Sequence, residues 1–266
     1  SADRCKLTFS MASLRLVPLE CGWLSTAASS VVAGLDGNVE LPIPSWLVVH
    51  PSGQTVLFDT GLHHELVDGV GARYPLMARQ FESRFASEDK VSERLQRVDI
   101  DPSEVTNIIF SHLHFDHCGG TSLVPNARII VQEAEWKSAH HPKLIEYEVY
   151  NPADFEMGHD VLKVDGNHDV FGDGSVICIP TPGHTAGHQS LRVNLESGPV
   201  ILTGDCVYWE QVLEEMLLPP FGFDHDMQLD SMRMLKQLRD EQGCRLLYGH
   251  DESQWANLSQ SSAGIT

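Results

Sequence analysis

Short apolar runs closed by glycine, proline or aspartate recur along this chain, and few are long enough to be helices. Ile108-Ile109-Phe110, following Val105, reads as a buried strand. Trp46-Leu47-Val48-Val49-His50, the turn Pro51-Ser52-Gly53 and Thr55-Val56-Leu57-Phe58-Asp59 predict a hairpin. Further strands are predicted near 7–17, 127–131, 176–179, 190–193, 200–205 and 245–248, with a turn cluster at 34–38. From His63 to about Val98 the pattern is helical but irregular, interrupted by Gly69 and Gly71; it suits a pocket lid or a subunit contact. Glu133 to Ala139 begins a helix. The best helix runs from about Met227 to Gln242, with Leu229, Met232, Leu235 and Leu238 as its apolar stripe, Asp226 as cap and Gly243 as stop. Strands dominate early and a strand–helix alternation returns later, which predicts an α/β protein of two sheets with helices outside.

The chain has 266 residues, enough for one large domain or two small ones. It shows no repeat or linker, so a single domain over residues 1–266 is expected. A hydrophobic content of 42% supports a sizeable core. No apolar run reaches transmembrane length, and Lys6 and Arg15 interrupt the N-terminal apolar stretch. The expectation is therefore a cytoplasmic protein that does not engage a membrane. A formal net charge of −19 repels phosphate backbones and argues against a nucleic-acid partner. Two divalent ions would offset only about four units of it. The cysteines (Cys5, Cys21, Cys118, Cys178, Cys206 and Cys244) form no CxxC pair and read as reduced, mostly buried thiols.

The chemistry concentrates in Ser111-His112-Leu113-His114-Phe115-Asp116-His117-Cys118-Gly119-Gly120, directly after a predicted strand. His112 and His114 project to one side in extended geometry, while Asp116 and His117 follow a turn and can face a second point. Imidazole and carboxylate suit zinc, manganese, iron or cobalt, and the spacing suits two adjacent ions. Packing four ionisable groups together is costly unless a cation holds them. Gly183-His184, Gly204-Asp205 and Gly249-His250 repeat one pattern: a short strand, a glycine, then a ligand-type residue. Asp59, in Asp59-Thr60-Gly61, is placed to partner a metal-bound histidine. His188 is read as support for this loop system, and Cys118 and Cys206 as neighbours rather than ligands. His63, His64, His140, His141, His159 and His168 are read as surface histidines.

His112-x-His114-x-Asp116-His117 with His184, Asp205 and His250 resembles the signature of the metallo-β-lactamase fold superfamily, from the Asp59-Thr60-Gly61 turn to Gly249-His250-Asp251. The resemblance implies an αβ/βα four-layer sandwich with a two-metal site at one edge. His112, His114 and His184 would hold one ion, Asp116, His117 and His250 the other, and Asp205 would bridge them. Zinc is the expected metal; iron, manganese and cobalt suit the same donors. Residues 251–266 are fewer than the helical domain of glyoxalase II would need. True zinc β-lactamases lack the aspartate bridge, and ribonuclease Z-like enzymes need a basic face.

Thr181-Pro182-Gly183-His184-Thr185-Ala186-Gly187-His188-Gln189-Ser190-Leu191, Tyr208 and Phe221-Gly222-Phe223-Asp224 resemble the N-acyl homoserine lactone lactonases. That resemblance implies attack of a metal-bridging hydroxide on a small-molecule lactone, with Tyr208 stabilising the oxyanion and Asp116 shuttling a proton. The alternatives are a 4-pyridoxolactonase-like lactonase, a thioesterase, a phosphodiesterase, or a redox protein with a di-iron site. A monomer or homodimer is expected. Trp23, Leu24, Trp46, Met157, Phe221 and Phe223 are candidates for an apolar acyl channel.

Overall fold

Val56, Leu57 and Phe58 are all buried, and so are Ile108, Ile109 and Phe110. A strand without a polar position has both faces covered, which places these runs in the middle of a layered structure. The computed structural model describes residues 13–258 and 264–266. Its strands are β1 (Arg15–Ala27), β2 (Asn38–Val49), β3 (Thr55–Phe58), β4 (Glu82–Arg84), β5 (Asn107–Ile109), β6 (Arg128–Gln132), β7 (Val161–Val164), β8 (His168–Asp169), β9 (Val176–Pro180), β10 (Gln189–Leu195), β11 (Gly198–Leu202) and β12 (Arg245–Leu247).

They form a seven-stranded sheet, β4-β1-β2-β3-β5-β6-β7, and a five-stranded sheet, β12-β11-β10-β9-β8. Both are mixed. β1–β2–β3 is antiparallel with β3–β5–β6–β7 parallel, and β8 to β11 is antiparallel with β12 parallel to β11. Trp46, Val48, Val56, Phe58 and Ile109 of the first sheet meet Cys178, Leu191, Val193 and Leu202 of the second in one core. The neighbouring residues Leu47, Leu57 and Ile108 turn to the opposite face, against Val91 and Leu95 of the helix Val91–Arg97. The second sheet's outer face packs Ile201 and Leu246 against Met232 and Leu235 of the helix His225–Gln242. The order of layers is helix, sheet, sheet, helix, the αβ/βα sandwich expected.

The long helix starts two residues before its predicted position. Asp224, not Asp226, accepts the Met227 amide at 2.9 Å, and Gly243 ends the helix in the left-handed region at φ 68°. Met232 and Leu235 are fully buried and Leu229 and Leu238 partly so. Each fully buried side chain of this kind contributes about 1.5–3 kcal/mol relative to exposure. The predicted first strand near 7–17 lies largely outside the described residues. The strand described there begins at Arg15 and continues to Ala27, paired with β2 throughout, with a bulge between Glu20 and Trp23. The five described cysteines are buried and free.

Candidate metal centre

The ligand-type residues sit at the C-terminal ends of strands from both sheets: His112, His114, Asp116 and His117 after β5, His184 after β9, Asp205 after β11 and His250 after β12. One edge of the sandwich thus receives every loop. His112 Nε2 lies 2.9 Å from His114 Nδ1, which lies 3.1 Å from His184 Nε2. Three nitrogens around a tetrahedral zinc, at about 2.0–2.1 Å from it, are roughly 3.3 Å apart. His117 Nε2 and His250 Nε2 lie 3.2 and 3.0 Å from Asp205 Oδ1, and 3.6 and 3.9 Å from Asp116 Oδ2.

Asp205 spans the two clusters. Its Oδ1 faces His117 and His250, while its Oδ2 lies 3.4 Å from His184 Nε2 and 3.8 Å from His112 Nε2. Asp205 Oδ1 and His117 Nε2 are buried and, although 3.2 Å apart, are not aligned for a hydrogen bond. Buried polar atoms left unpaired, and aimed at a common point by rigid strands, fit a cation. Among the described residues, His112/His114/His184 and Asp116/His117/His250 each bring three donor atoms within metal-binding reach.

The remaining ring nitrogens are held in place. His117 Nδ1 donates to Asp59 Oδ2 at 2.8 Å, and His250 Nδ1 donates to the Pro42 carbonyl at 2.8 Å. His112 Nδ1 lies 3.0 Å from Ser111 Oγ, whose own proton goes to Asp59 at 2.8 Å. Asp59 also accepts the Ser111 amide at 2.7 Å. Such partners fix tautomer and ring orientation. Burial drives the proton affinity of His112 and His184 well below the ordinary histidine value, so both rings are neutral donors. Burial pulls His117 the same way, but the carboxylates of Asp205, Asp116 and Asp59 outweigh it and raise it.

Two supporting residues complete the frame. His188 is buried; its Nδ1 bonds Thr181 Oγ1 at 2.8 Å and its Nε2 accepts the Asp205 amide at 3.0 Å, the supporting position expected. Glu135, which the sequence reading passed over, is fully buried. It accepts the Leu113 amide at 3.0 Å, the Tyr150 hydroxyl at 3.0 Å and the Gly187 amide at 3.1 Å, so one carboxylate ties together the loops carrying His112, His114 and His184. A Cβ on Gly187 would come within 2.1 Å of the Glu135 amide nitrogen. The available signal was Glu135 four residues before Ala139 on the helix Glu133–Ala139: a charged residue on its buried face.

His63 is buried rather than superficial. Its Nδ1 accepts the Glu65 amide at 3.2 Å, and burial, then Arg73 and His64, push its pKa down to about 4. His63, His64 and Glu65 are also near one another, but Glu65 is paired with Arg73 at 3.1 Å. His140 and His159 are half-buried, bonding the Trp136 and Val124 carbonyls at 2.6 and 2.9 Å, and His168 is half-buried in β8; His141 is exposed. Cys118 is not aimed at the donors; its thiol faces the Leu113 carbonyl at 3.4 Å.

A cavity of about 550 Å³ opens on this centre, within the range of small-molecule sites. His114, Asp116, His184, Asp205, Tyr208 and His250 form one end. Of the expected channel residues only Phe221 lines it. Trp46 instead faces the inter-sheet core, edge-on to Trp255 at 5.7 Å between centroids, and Leu24 lies in a core cluster. Trp23 stacks under Arg84, while Met157 and Phe223 are exposed. Leu76, Met77 and Phe81, from the irregular segment 63–98, supply the apolar wall together with Val31, Leu41 and Val149. Tyr208 is buried, its hydroxyl 3.4 Å from His184 Nδ1.

A family model for the metallo-beta-lactamase superfamily matches residues 39–250. An N-acyl homoserine lactonase from Bacillus sp is 34% identical over 229 residues, covering 85% of this chain and 88% of its own. N-acyl homoserine lactonase AttM from Rhizobium radiobacter is 30% identical over 259 residues, covering 94% and 98%. A solved Bacillus thuringiensis AiiA variant with N-decanoyl-L-homoserine at its active site superposes with a TM-score of 0.82 at 30% identity, covering 92% of this chain and 96% of that one. An N-acyl homoserine lactone hydrolase holding the product N-hexanoyl-L-homoserine at its catalytic metal centre gives 0.81 at 30% identity, covering 94% and 97%.

Proposed function

The chain belongs to the metallo-β-lactamase superfamily, and from that premise we propose that it is a two-metal lactonase that opens the ring of N-acyl homoserine lactones. The observation that carries the reading is the Asp205 carboxylate, one oxygen turned to each histidine cluster. His112, His114 and His184 would hold one divalent ion and Asp116, His117 and His250 the other, with the Asp205 carboxylate facing both sets. Zinc suits these nitrogen and oxygen donors. Two such ions supply Lewis acidity and a water of lowered pKa at neutral pH.

The chain's own residues do the rest. With His184 Nε2 turned to the metal cluster, its Nδ1 carries a proton toward the Tyr208 oxygen. The Tyr208 hydroxyl hydrogen is then free to point into the cavity and bond the lactone carbonyl oxygen as charge develops there. Asp116, which lines the same cavity, takes the proton of the attacking water and passes it to the departing ring oxygen. The product is an open-chain hydroxy acid. The apolar wall beyond the ring holds the acyl chain.

A substrate panel tests the reading. Lactones of several acyl lengths are assayed beside 4-pyridoxolactone, a thioester and a phosphodiester. Acyl homoserine lactones are expected to give the highest kcat/KM by at least about a hundredfold, a margin worth about 2.7 kcal/mol. Preference for another member of the panel would overturn the substrate and leave the metal centre standing.

A further inference from the structure

The cavity is bounded by two segments far apart in sequence, one carrying Leu76 and Met77, the other Tyr147, Glu148 and Val149. At the cavity edge one side chain of the second segment reaches the backbone of the first. Glu148 Oε2 accepts the Leu76 amide at 2.8 Å and the Met77 amide at 3.2 Å. Glu148 is itself held in the left-handed region, at φ 57°, just after the short helix Pro142–Glu146. A residue with a Cβ is rarely found there, and glycine is the usual occupant. The left-handed turn carries the carboxylate across the gap, where it meets two amides of a segment with only 3-10 turns around it. Asp154 forms a second tie, to Arg73 Nε at 2.8 Å and the Tyr74 hydroxyl at 2.7 Å, but neither it nor these partners line the cavity.

From this we infer that Glu148 is the specificity-determining clamp of the substrate cavity: its carboxylate sets the distance between the two walls and so fixes which acyl chains fit. The inference rests on the lactonase reading for the identity of the chain that lies there, but not for the clamp itself. Asp154 anchors the irregular segment at Arg73 and Tyr74, and Glu148 decides where its cavity-facing residues stand.

The test compares wild type with Glu148→Ala, Glu148→Gly and Glu148→Gln. Alanine removes the acceptor. Glycine also removes it but suits the positive φ, so it keeps the fold should alanine not. Glutamine keeps one amide oxygen for both N–H groups. Two readouts are needed. Hydrogen exchange at Leu76 and Met77 requires no substrate: it is expected to quicken at least tenfold in the alanine and glycine variants and to stay at the wild-type rate in the glutamine variant. In the assay, KM for the dodecanoyl lactone is expected to rise about tenfold more than KM for the butanoyl lactone in the first two variants, and glutamine is expected to restore the wild-type ratio. Unchanged exchange, or unchanged KM across chain lengths in the glycine variant, would overturn the inference. Altered exchange in a protein that opens no lactone would uphold the clamp and refute the lactonase reading.

Discussion

Asp59 Oδ2 lies 2.8 Å from His117 Nδ1, and the same carboxylate accepts both the amide and the hydroxyl of Ser111. Asp59 reaches this position from the end of β3 in a left-handed conformation, φ 61°. It therefore orients a histidine of one proposed metal cluster and the residue preceding His112 of the other. Replacing Asp59 by asparagine keeps an oxygen for the Ser111 amide but turns an NH2 toward His117 Nδ1, which favours the wrong tautomer. The Asp59→Asn protein should fold and lose about 10–100-fold in metal affinity, measured by competition with a chromogenic chelator. Wild-type affinity would show that this contact does not orient the ligand.

Tyr208→Phe removes one hydroxyl from the cavity and replaces none of the proposed ligands, although it takes away the oxygen 3.4 Å from His184 Nδ1. It should lower kcat by about 10²-fold, at the lower end of what loss of an oxyanion donor costs, and leave zinc content at the wild-type value. An unchanged kcat would retire the oxyanion role.

His63 gives the stability a pH signature. Its folded-state pKa is pushed down to about 4 from the ordinary 6.5, chiefly by burial. Between these values the unfolded chain binds the proton and the folded chain excludes it, so stability rises with pH. The contribution is complete above about pH 6.5 and is lost as pH falls toward 4. Asparagine can accept the Glu65 amide as His63 does, but it does not titrate. The advantage of wild type over His63→Asn in urea unfolding should therefore shrink from pH 7 to pH 4.5. A difference independent of pH would contradict the buried, neutral state.

How much of this was legible in the sequence depended on how local the signal was. His112, His114, His184, Asp205 and His250 each follow a short apolar run that reads as a strand, and strand ends in a mixed α/β sandwich gather at one edge. Asp59 was legible for the same reason. The cavity wall was not. Leu76 to Phe81 surround the 3-10 turn Met77–Arg79 without apolar periodicity; Glu148 holds Leu76 and Met77, and Asp154 holds Arg73 and Tyr74 just before them, both distant in sequence. Trp46 and Leu24 looked like channel residues because large apolar side chains serve cores and channels equally; only strand pairing decides which face each takes. Glu135 was hidden because a glutamate in the first turn of a helix normally faces solvent.

In the proposed mechanism seven side chains hold two cations, and lactone opening depends on both. Zinc titrated into chelator-stripped protein, with N-acyl homoserine lactone opening followed by proton release, measures that dependence directly. No turnover is expected without metal, activity should climb to a plateau at two equivalents per chain, and almost none should appear at any zinc level in Asp205→Asn. Turnover by the stripped protein, or full activity in Asp205→Asn, would contradict the mechanism.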